Sequence, residues 1–381
     1  MLLEHDAKEL LAASGIPIPS GLMVTLPDAA SAPTLPPPWI VKAQVPVGGR
    51  GKSGGIRRVA APDELRRVLS ELSLMSIKGH RVRSCRIEEA VTGRECYLSF
   101  SLDAARGRLN ILASAEGGVD IESSADSGAL LSASALFAPQ AALEATSELS
   151  AKLPASIGAT IVTAAQALID SFFEFEATLL EINPLFVRDG GSWTAGDVKL
   201  VIDDNALMRQ PRFVALVHRR AEDYPEIALK LDHGFDFIEL DPSGEIGLVT
   251  TGAGLSMQLV DELQSRGHRA FNFCDLRTGQ LRGDPTRLIQ VFRWIASGRS
   301  VRSVLINFFA GITDLGEIAH LLVAALKAVP ELRVPVTARL IGNGYDEAIA
   351  VFAAAGQPLR VEPDLDKAIA LAVAPLTGTR P

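Results

Sequence analysis

Trp39-Ile40-Val41-Lys42-Ala43-Gln44-Val45 runs directly into Pro46-Val47-Gly48-Gly49-Arg50-Gly51-Lys52-Ser53-Gly54-Gly55. The first half is apolar and β-branched, which reads as a strand. The second half holds too many glycines for helix or strand. A glycine-dense turn lets backbone N–H groups close on phosphate oxygens, and nearby cations offset the charge. The string Gly51-Lys52-Ser53 invites the phosphate loop that ends in Gly-Lys-Ser. The spacing denies it, because the first glycine of that loop falls on Pro46. Lys42, Gly49, Arg50 and Gly51 remain candidate nucleotide contacts. A flexible turn without a ligand is the competing reading of the same residues.

Outward from this stretch the chain alternates short strands and helices. Upstream, residues 2–14 carry apolar side chains at helical spacing and end at Gly15, a helix-terminating glycine. Downstream, residues 62–74 read as an amphipathic helix. Strands are expected from Arg86, from Glu95 and from Leu109, the last two joined by a polar turn at Arg106-Gly107 as an antiparallel hairpin. A long helix over 157–173 precedes strands at 177–185 and 197–202. If the last two are antiparallel neighbours, Asn183 and Asp197 share a face. Mg²⁺ takes one or two such oxygen ligands and completes its shell with phosphate and water. Asn183-Pro184 as a simple turn signal is the plainer alternative. Glu88 or Glu89, with Glu95, are candidates for hydrogen bonds to a ribose or base; solvated strand ends are the commoner fate of such glutamates.

Near Asp236 the pattern changes. Strands from Glu245, Arg269, Val301 and Val334 are each followed by a helix. Repeated βα units imply a doubly wound parallel sheet, with sites at the carboxyl ends of the strands. Thr251-Gly-Ala-Gly and Ala310-Gly-Ile-Thr fall there. The fold class expected is α+β for residues 1–234 and α/β for residues 235–381.

The net charge of −8 argues against wrapping nucleic acid or an anionic membrane. Cys85, Cys96 and Cys274 form no CxxC pair, so neither a zinc site nor a disulfide framework is suggested. The opening residues carry charges at helical spacing and lack a signal-peptide layout. A cytoplasmic location is expected.

In series, these pieces resemble the β subunit of the succinyl-CoA synthetase and malate–CoA ligase family. The likeness rests on Glu4-His5-Asp6-Ala7-Lys8-Glu9-Leu10, on Val41 to Gly55, on Glu181-Ile-Asn-Pro-Leu185, on Asp197-Val-Lys199 and on Asn205 to Pro211. It continues through Gly252-Ala-Gly-Leu-Ser-Met, Asn272-Phe-Cys-Asp and Ala310-Gly-Ile, and so covers almost the whole chain. The resemblance implies an ATP-grasp domain followed by a flavodoxin-like CoA-ligase domain. It implies that Lys42, Gly49, Arg50, Gly51, Glu88 and Glu95 hold ATP, and that Asn183 and Asp197 hold Mg²⁺. It places Glu181 near a phosphohistidine carried by an α subunit, with CoA as co-substrate bound mainly by that subunit. Thr251, Gly311, Ile312 and Thr313 match the region that binds the carboxylic acid.

The sequence also departs from the family. The glycine-rich turn that the family has after the stretch matching Asn272-Phe-Cys-Asp275 is replaced by Leu276-Arg277-Thr278-Gly279-Gln280-Leu281-Arg282-Gly283. Thr251 stands where succinate enzymes have asparagine, and Thr313-Asp314 replaces an arginine-bearing stretch. A lost arginine and an added carboxylate disfavour succinate itself. None of the six histidines has the sequence context of the family's phosphohistidine. Two functions remain open: the β subunit of an ATP-dependent ligase for a short carboxylic acid, succinate or another, or a non-catalytic nucleotide-binding paralogue that regulates or scaffolds a partner.

Overall fold

The structure is a computed structural model, which describes residues 1–26, 34–118, 129–276, 281, 283–311, 313–356 and 359–376. The chain divides into two compact units, Met1–Phe213 and Val214–Pro381.

The first unit opens with α1 (Glu4–Ala13) and β1 (Gly21–Thr25). The strand predicted at Trp39 is β2 (Trp39–Ala43), and the glycine stretch leads into β3 (Ile56–Val59). After α2 (Pro62–Ser73) come the short strands β4 (Ser76–Ile77) and β5 (His80–Arg81), and then β6 (Ser84–Glu89). These build an antiparallel sheet in the order β1-β6-β2-β3, with β4 and β5 as a separate hairpin. Leu65, Val68, Leu69 and Leu72 form one buried stripe along α2, and they share a core with Trp39, Val41 and Ile87.

The second sheet begins with β7 (Arg94–Asp103) and β8 (Arg108–Ser114), the hairpin expected at Arg106-Gly107. It adds β9 (Leu131–Leu136), β10 (Ala177–Val187), β11 (Trp193–Ala195) and β12 (Val198–Ile202). The order is β11-β10-β7-β8-β9, with β12 also paired to β10. Two helices, α3 (Pro139–Ser150) and α4 (Ala155–Glu174), belong to this half of the chain. By length and composition α4 could cross a membrane. Ten of its residues are instead buried, including Ile161, Leu168 and Phe172, so it serves as a core helix. Contrary to a turn at Asn183-Pro184, β10 runs through this pair. The pairing of β10 with β7 shifts register between Ile182 and Leu185, a bulge that lets one strand serve two partners.

The division between the units falls inside α5 (Pro211–Arg219). The second unit continues with α6 (Pro225–His233), β13 (Asp236–Glu239), β14 (Ile246–Thr250), α7 (Ala253–Ser265) and β15 (Asn272–Asp275). Then come α8 (Thr286–Ser297), β16 (Ser303–Ala310), α9 (Leu315–Ala328), β17 (Val336–Gly342), α10 (Tyr345–Ala355), β18 (Leu359–Val361) and α11 (Leu365–Val373). The strands β14-β16-β17-β18 are parallel throughout. Alternate residues enter two different cores. Val249, Val304, Ile306 and Phe308 pack with α8, α9 and α10, whereas Ile246, Leu248 and Leu305 pack with α7 and α11. Helices therefore cover both faces, which is why β14 and β16 are almost continuously apolar.

One strand departs from a purely parallel sheet. β15 pairs antiparallel with β13, and Ala270, just before it, makes an isolated parallel bridge to Ile246 of β14. The cause is Asn272. Its buried carboxamide accepts from Leu248 N–H at 2.9 Å and donates to Leu248 C=O at 2.9 Å, so a side chain replaces ladder bonds between the two strands.

Candidate functional site

A cavity of about 710 Å³ opens in the first unit, a size suited to a nucleotide. It is lined by all of Lys42, Gly49, Arg50, Gly51, Glu88, Glu95, Glu181, Asn183 and Asp197. Residues spread over 156 positions of sequence thus meet in one place.

At its floor lies a buried charge cluster with three carboxylates and four cations. Lys42 Nζ contacts Glu4 Oε1 at 2.8 Å, Glu88 Oε1 at 2.9 Å and the Gly196 carbonyl at 2.7 Å. An ammonium has three N–H donors, so Lys42 is saturated. Arg50 contacts Glu4 Oε2 at 2.8 Å, Asp197 Oδ1 at 2.7 Å and the Ala43 carbonyl at 3.2 Å. Lys8 bridges Glu4 at 2.8 Å and Glu88 at 2.7 Å and also donates to the Gly196 carbonyl. Arg86 completes the set through Glu88 at 2.7 Å, the Pro19 carbonyl and His5 Nδ1.

Sequence reasoning found Lys42, Arg50, Glu88 and Asp197 but missed Glu4, Lys8 and Arg86 as parts of the site. A signal existed. Glu4, Ala7, Lys8 and Leu11 form one stripe at helical spacing on α1, and all four are buried. Two opposite charges four residues apart on a buried face need partners from elsewhere in the fold. Arg86 and Glu88 likewise share one face of β6 by the two-residue period of a strand.

Burial and pairing act against each other here. Burial pushes the Glu4 and Glu88 carboxyls up, yet Lys42 and Lys8 outweigh it and hold both below the usual range. For Lys42 burial is likewise overcome, by Asp197, Glu4 and Glu88, and its ammonium is held above its ordinary range. Lys8 moves the other way, because burial and the nearby Lys42 charge exceed what Glu4 and Glu88 return. The Asp197 carboxyl, raised by burial and by the Glu4 carboxylate against the pull of Arg50, sits at about 6.

Gly196 is required beside this cluster. A β-carbon there would stand 2.4 Å from the Phe186 ring and 2.8 Å from the Pro184 carbonyl. Its own carbonyl accepts from both Lys8 and Lys42.

Asn183 and Asp197 are neighbours across the sheet, with Asn183 N–H donating to the Asp197 carbonyl at 3.1 Å. Asp197 lies just before β12, not within it. The Asn183 carboxamide accepts from Gly118 N–H at 2.7 Å and donates to the Gly118 carbonyl at 2.9 Å. One carboxylate and one amide oxygen at adjacent positions suit Mg²⁺, which needs few protein ligands. Glu181 lies on β10 opposite Lys199 of β12. Of the two adjacent glutamates, Glu88 faces the buried cluster, while Glu89 is exposed and accepts from Ser20 N–H at 3.0 Å. Glu95 is exposed at the start of β7.

Thr251, Gly311 and Thr313, which the resemblance links to the acid, follow the carboxyl ends of parallel strands in the second unit. Thr251 follows β14, and its hydroxyl accepts from Phe309 N–H at 3.3 Å. Gly311 and Thr313 follow β16; Ile312 lies outside the described residues, as do Arg277 to Gln280 and Arg282 of the altered turn. Asp314 requires a correction. Its carboxylate accepts from Gly316 N–H at 2.8 Å and Glu317 N–H at 3.3 Å and so caps α9. The group read as a repulsive charge near the acid is tied to its own helix.

A glycine turn above buried cations and a doubly wound second unit are features of a nucleotide-dependent ligase. Family models agree: one described as ATP-grasp domain matches residues 1–187, and one described as CoA-ligase matches residues 249–372. The β subunit of ADP-forming succinate–CoA ligase of Chloroflexus aurantiacus is 37% identical over 92% of this chain and 93% of its own. That of Ignicoccus hospitalis is 33% identical over 94% and 95%. The solved ATP citrate lyase of Methanothrix soehngenii, bound to citrate and coenzyme A, shares the fold, with a TM-score of 0.71, 20% identity and 98% coverage of both chains. The chain belongs to the family of succinate–CoA ligase β subunits.

Proposed function

We propose that the chain is the nucleotide-binding β subunit of an ADP-forming acid–CoA ligase, acting in the cytoplasm with an α subunit that carries the phosphohistidine and most of the CoA site. The observation that carries this reading is the convergence of Lys42, Arg50, Glu88, Asn183 and Asp197 on one cavity behind the Gly48–Gly51 turn. In such a site phosphoryl transfer is catalysed by positioning and charge neutralisation. Arg50 keeps donors in excess of its three contacts and can turn them to phosphate. Glu95, exposed at the start of β7, would accept from ribose or base, and Glu88 would hold Lys42 and Lys8 beneath the nucleotide. Asn183 and Asp197 would hold Mg²⁺, which supplies charge neutralisation between phosphate oxygens. Glu181, on β10 two residues before Asn183, would receive the imidazole of the phosphohistidine.

For the acid, Thr251 and Thr313 offer hydroxyls at the carboxyl ends of β14 and β16. With Asp314 committed to its helix, the case against succinate rests on these threonines and on the arginine the sequence lacks. A hydroxylated or otherwise altered short acid fits better than succinate. The test of the nucleotide assignment is calorimetric titration of Mg·ATP into the full chain and into Asp197→Asn. Marked weakening is expected in a variant that still unfolds in a cooperative thermal transition. Unchanged affinity in the variant overturns the assignment.

A further inference from the structure

The cations that family likeness assigns to the nucleotide, Lys42 and Arg50, are largely committed to carboxylates. Lys42 has all three donors engaged, and Glu4, Glu88 and Asp197 neutralise most of the charge of Lys42 and Arg50. A triphosphate entering this cavity therefore meets a floor close to neutral and needs positive charge from elsewhere.

Two lysines supply it. Among the described residues, neither Lys78 nor Lys199 has a carboxylate partner, and both line the cavity. They reach the glycine turn from two unrelated elements. A β-carbon on Gly49 would stand 3.4 Å from Lys78 Nζ, and one on Gly48 would stand 3.9 Å from Lys199 Nζ. The two ammonium groups thus overhang consecutive residues of the turn whose N–H groups are the natural phosphate donors. Arg58 also lines the cavity but does not reach these glycines.

The backbone at Lys78 is a second, independent observation. Lys78 and Gly79 are the two turn residues of the hairpin in which Ile77 pairs with His80. Both have positive φ, 48° and 87°. A tight hairpin of this kind asks for Asn, Asp or Gly at its first turn position. A lysine there is held against its steric preference, a mark of a residue kept for what its side chain does. Lys199 is positioned by register: it stands directly across from Glu181 and two residues after Asp197.

We propose that Lys78 and Lys199 form a two-lysine clamp that closes over the phosphate chain of the nucleotide at the Gly48–Gly49 turn. The proposal rests on the nucleotide reading of the cavity and adds to it the groups that carry the phosphate charge. It adds two ammonium groups to a site whose buried cations, Lys42 and Arg50, are largely neutralised by carboxylates.

The test uses the full chain and three probes: Mg·ATP, Mg·ADP and adenosine. Lys78→Met and Lys199→Met should each weaken both nucleotides about tenfold, the scale of one charge-assisted hydrogen bond, and the double variant should lose more than either single one. Adenosine, which has no phosphate, should bind all variants alike. Lys78→Arg and Lys199→Arg should retain most of the affinity, because the charge remains. Unchanged Mg·ATP affinity in both methionine variants overturns the clamp, and so does a loss that extends equally to adenosine. A wild-type chain that binds none of the three overturns the nucleotide reading itself, and the clamp with it.

Discussion

Glu4→Gln is the substitution that probes the buried cluster most severely. Glu4 is 2% exposed and touches three cations, Lys8, Lys42 and Arg50, each at 2.8 Å. Glutamine keeps the shape and removes the charge, leaving four cations around two carboxylates. Removing one partner of a buried ion pair costs about 3–5 kcal/mol, because the remaining charge stays buried and uncompensated. The first unit spans 213 residues, from Met1 to Phe213. For a unit of that size, each kcal/mol moves the thermal midpoint by roughly 2–4 °C, so a fall of roughly 6–20 °C is expected. Scanning calorimetry and the fluorescence of Trp39, buried beside Val41 in the same unit, would report it. The variant should also show non-additivity. Adding Arg50→Met to Glu4→Gln removes a cation that has lost one of its two carboxylate partners, so the double variant should cost less than the sum of the two single variants. Glu4→Gln and Arg50→Met that each cost under about 1 kcal/mol, or that simply add, would refute the claim that the cluster is a coupled unit.

Other outcomes follow from the same geometry. Gly196→Ala drives a β-carbon into the Phe186 ring and should lose about 1–3 kcal/mol, measured by urea unfolding, together with Mg·ATP affinity. Asp314→Ala should lose about 1 kcal/mol of cap energy without improving kcat/KM for succinate in the reconstituted pair; a marked gain for succinate would return Asp314 to the acid pocket. Succinate itself should turn over more slowly than a hydroxylated short acid such as malate; succinate best by tenfold or more would show that Thr251 and Thr313 were misread. Burial pushes the Cys85 and Cys274 thiols up to about 12 and Cys96 to about 11, so raising pH from 7 to 9 should generate little thiolate in the folded chain. Iodoacetamide should label all three rapidly only after unfolding, and fast native labelling at pH 8 would contradict their burial.

What the sequence made legible depended on the range of the forces involved. Turns and periodic faces are local, so α2, the β7–β8 hairpin, α4 and the βα alternation of the second unit could be read directly. Strand partners are not local. Nothing along the chain says that β15 pairs antiparallel with β13 or that Asn272 stands in for ladder bonds to Leu248. In the site, Lys42, Arg50, Asn183 and Asp197 were visible because glycines, prolines and like motifs mark them. Glu4 and Lys8 were overlooked because a charged pair at i,i+4 is ordinarily a solvated helix face. Their burial follows from β2 and β6 arriving with Lys42, 38 residues from Glu4, and Glu88, 80 residues from Lys8. Lys78 was silent for the same reason: only the hairpin carries it to Gly49. Asp314 was misjudged because a carboxylate two residues before a helix glycine reads equally as a pocket charge or as a cap, and only the hydrogen bonds to Gly316 and Glu317 decide.

The most direct test of the account is reconstitution with an α-type subunit, one that carries the phosphohistidine. Purified separately, neither chain should form acyl-CoA from ATP, CoA and a short carboxylic acid. Together they should do so with stoichiometric ADP release, and they should label a histidine of the α subunit when supplied with ATP phosphorylated by isotope at its terminal phosphate. Steady acyl-CoA formation by this chain alone would contradict the division of the site between subunits. A pair that associates and binds Mg·ATP, yet neither labels the histidine nor turns over any acid, would contradict catalysis and favour a regulatory, non-catalytic subunit.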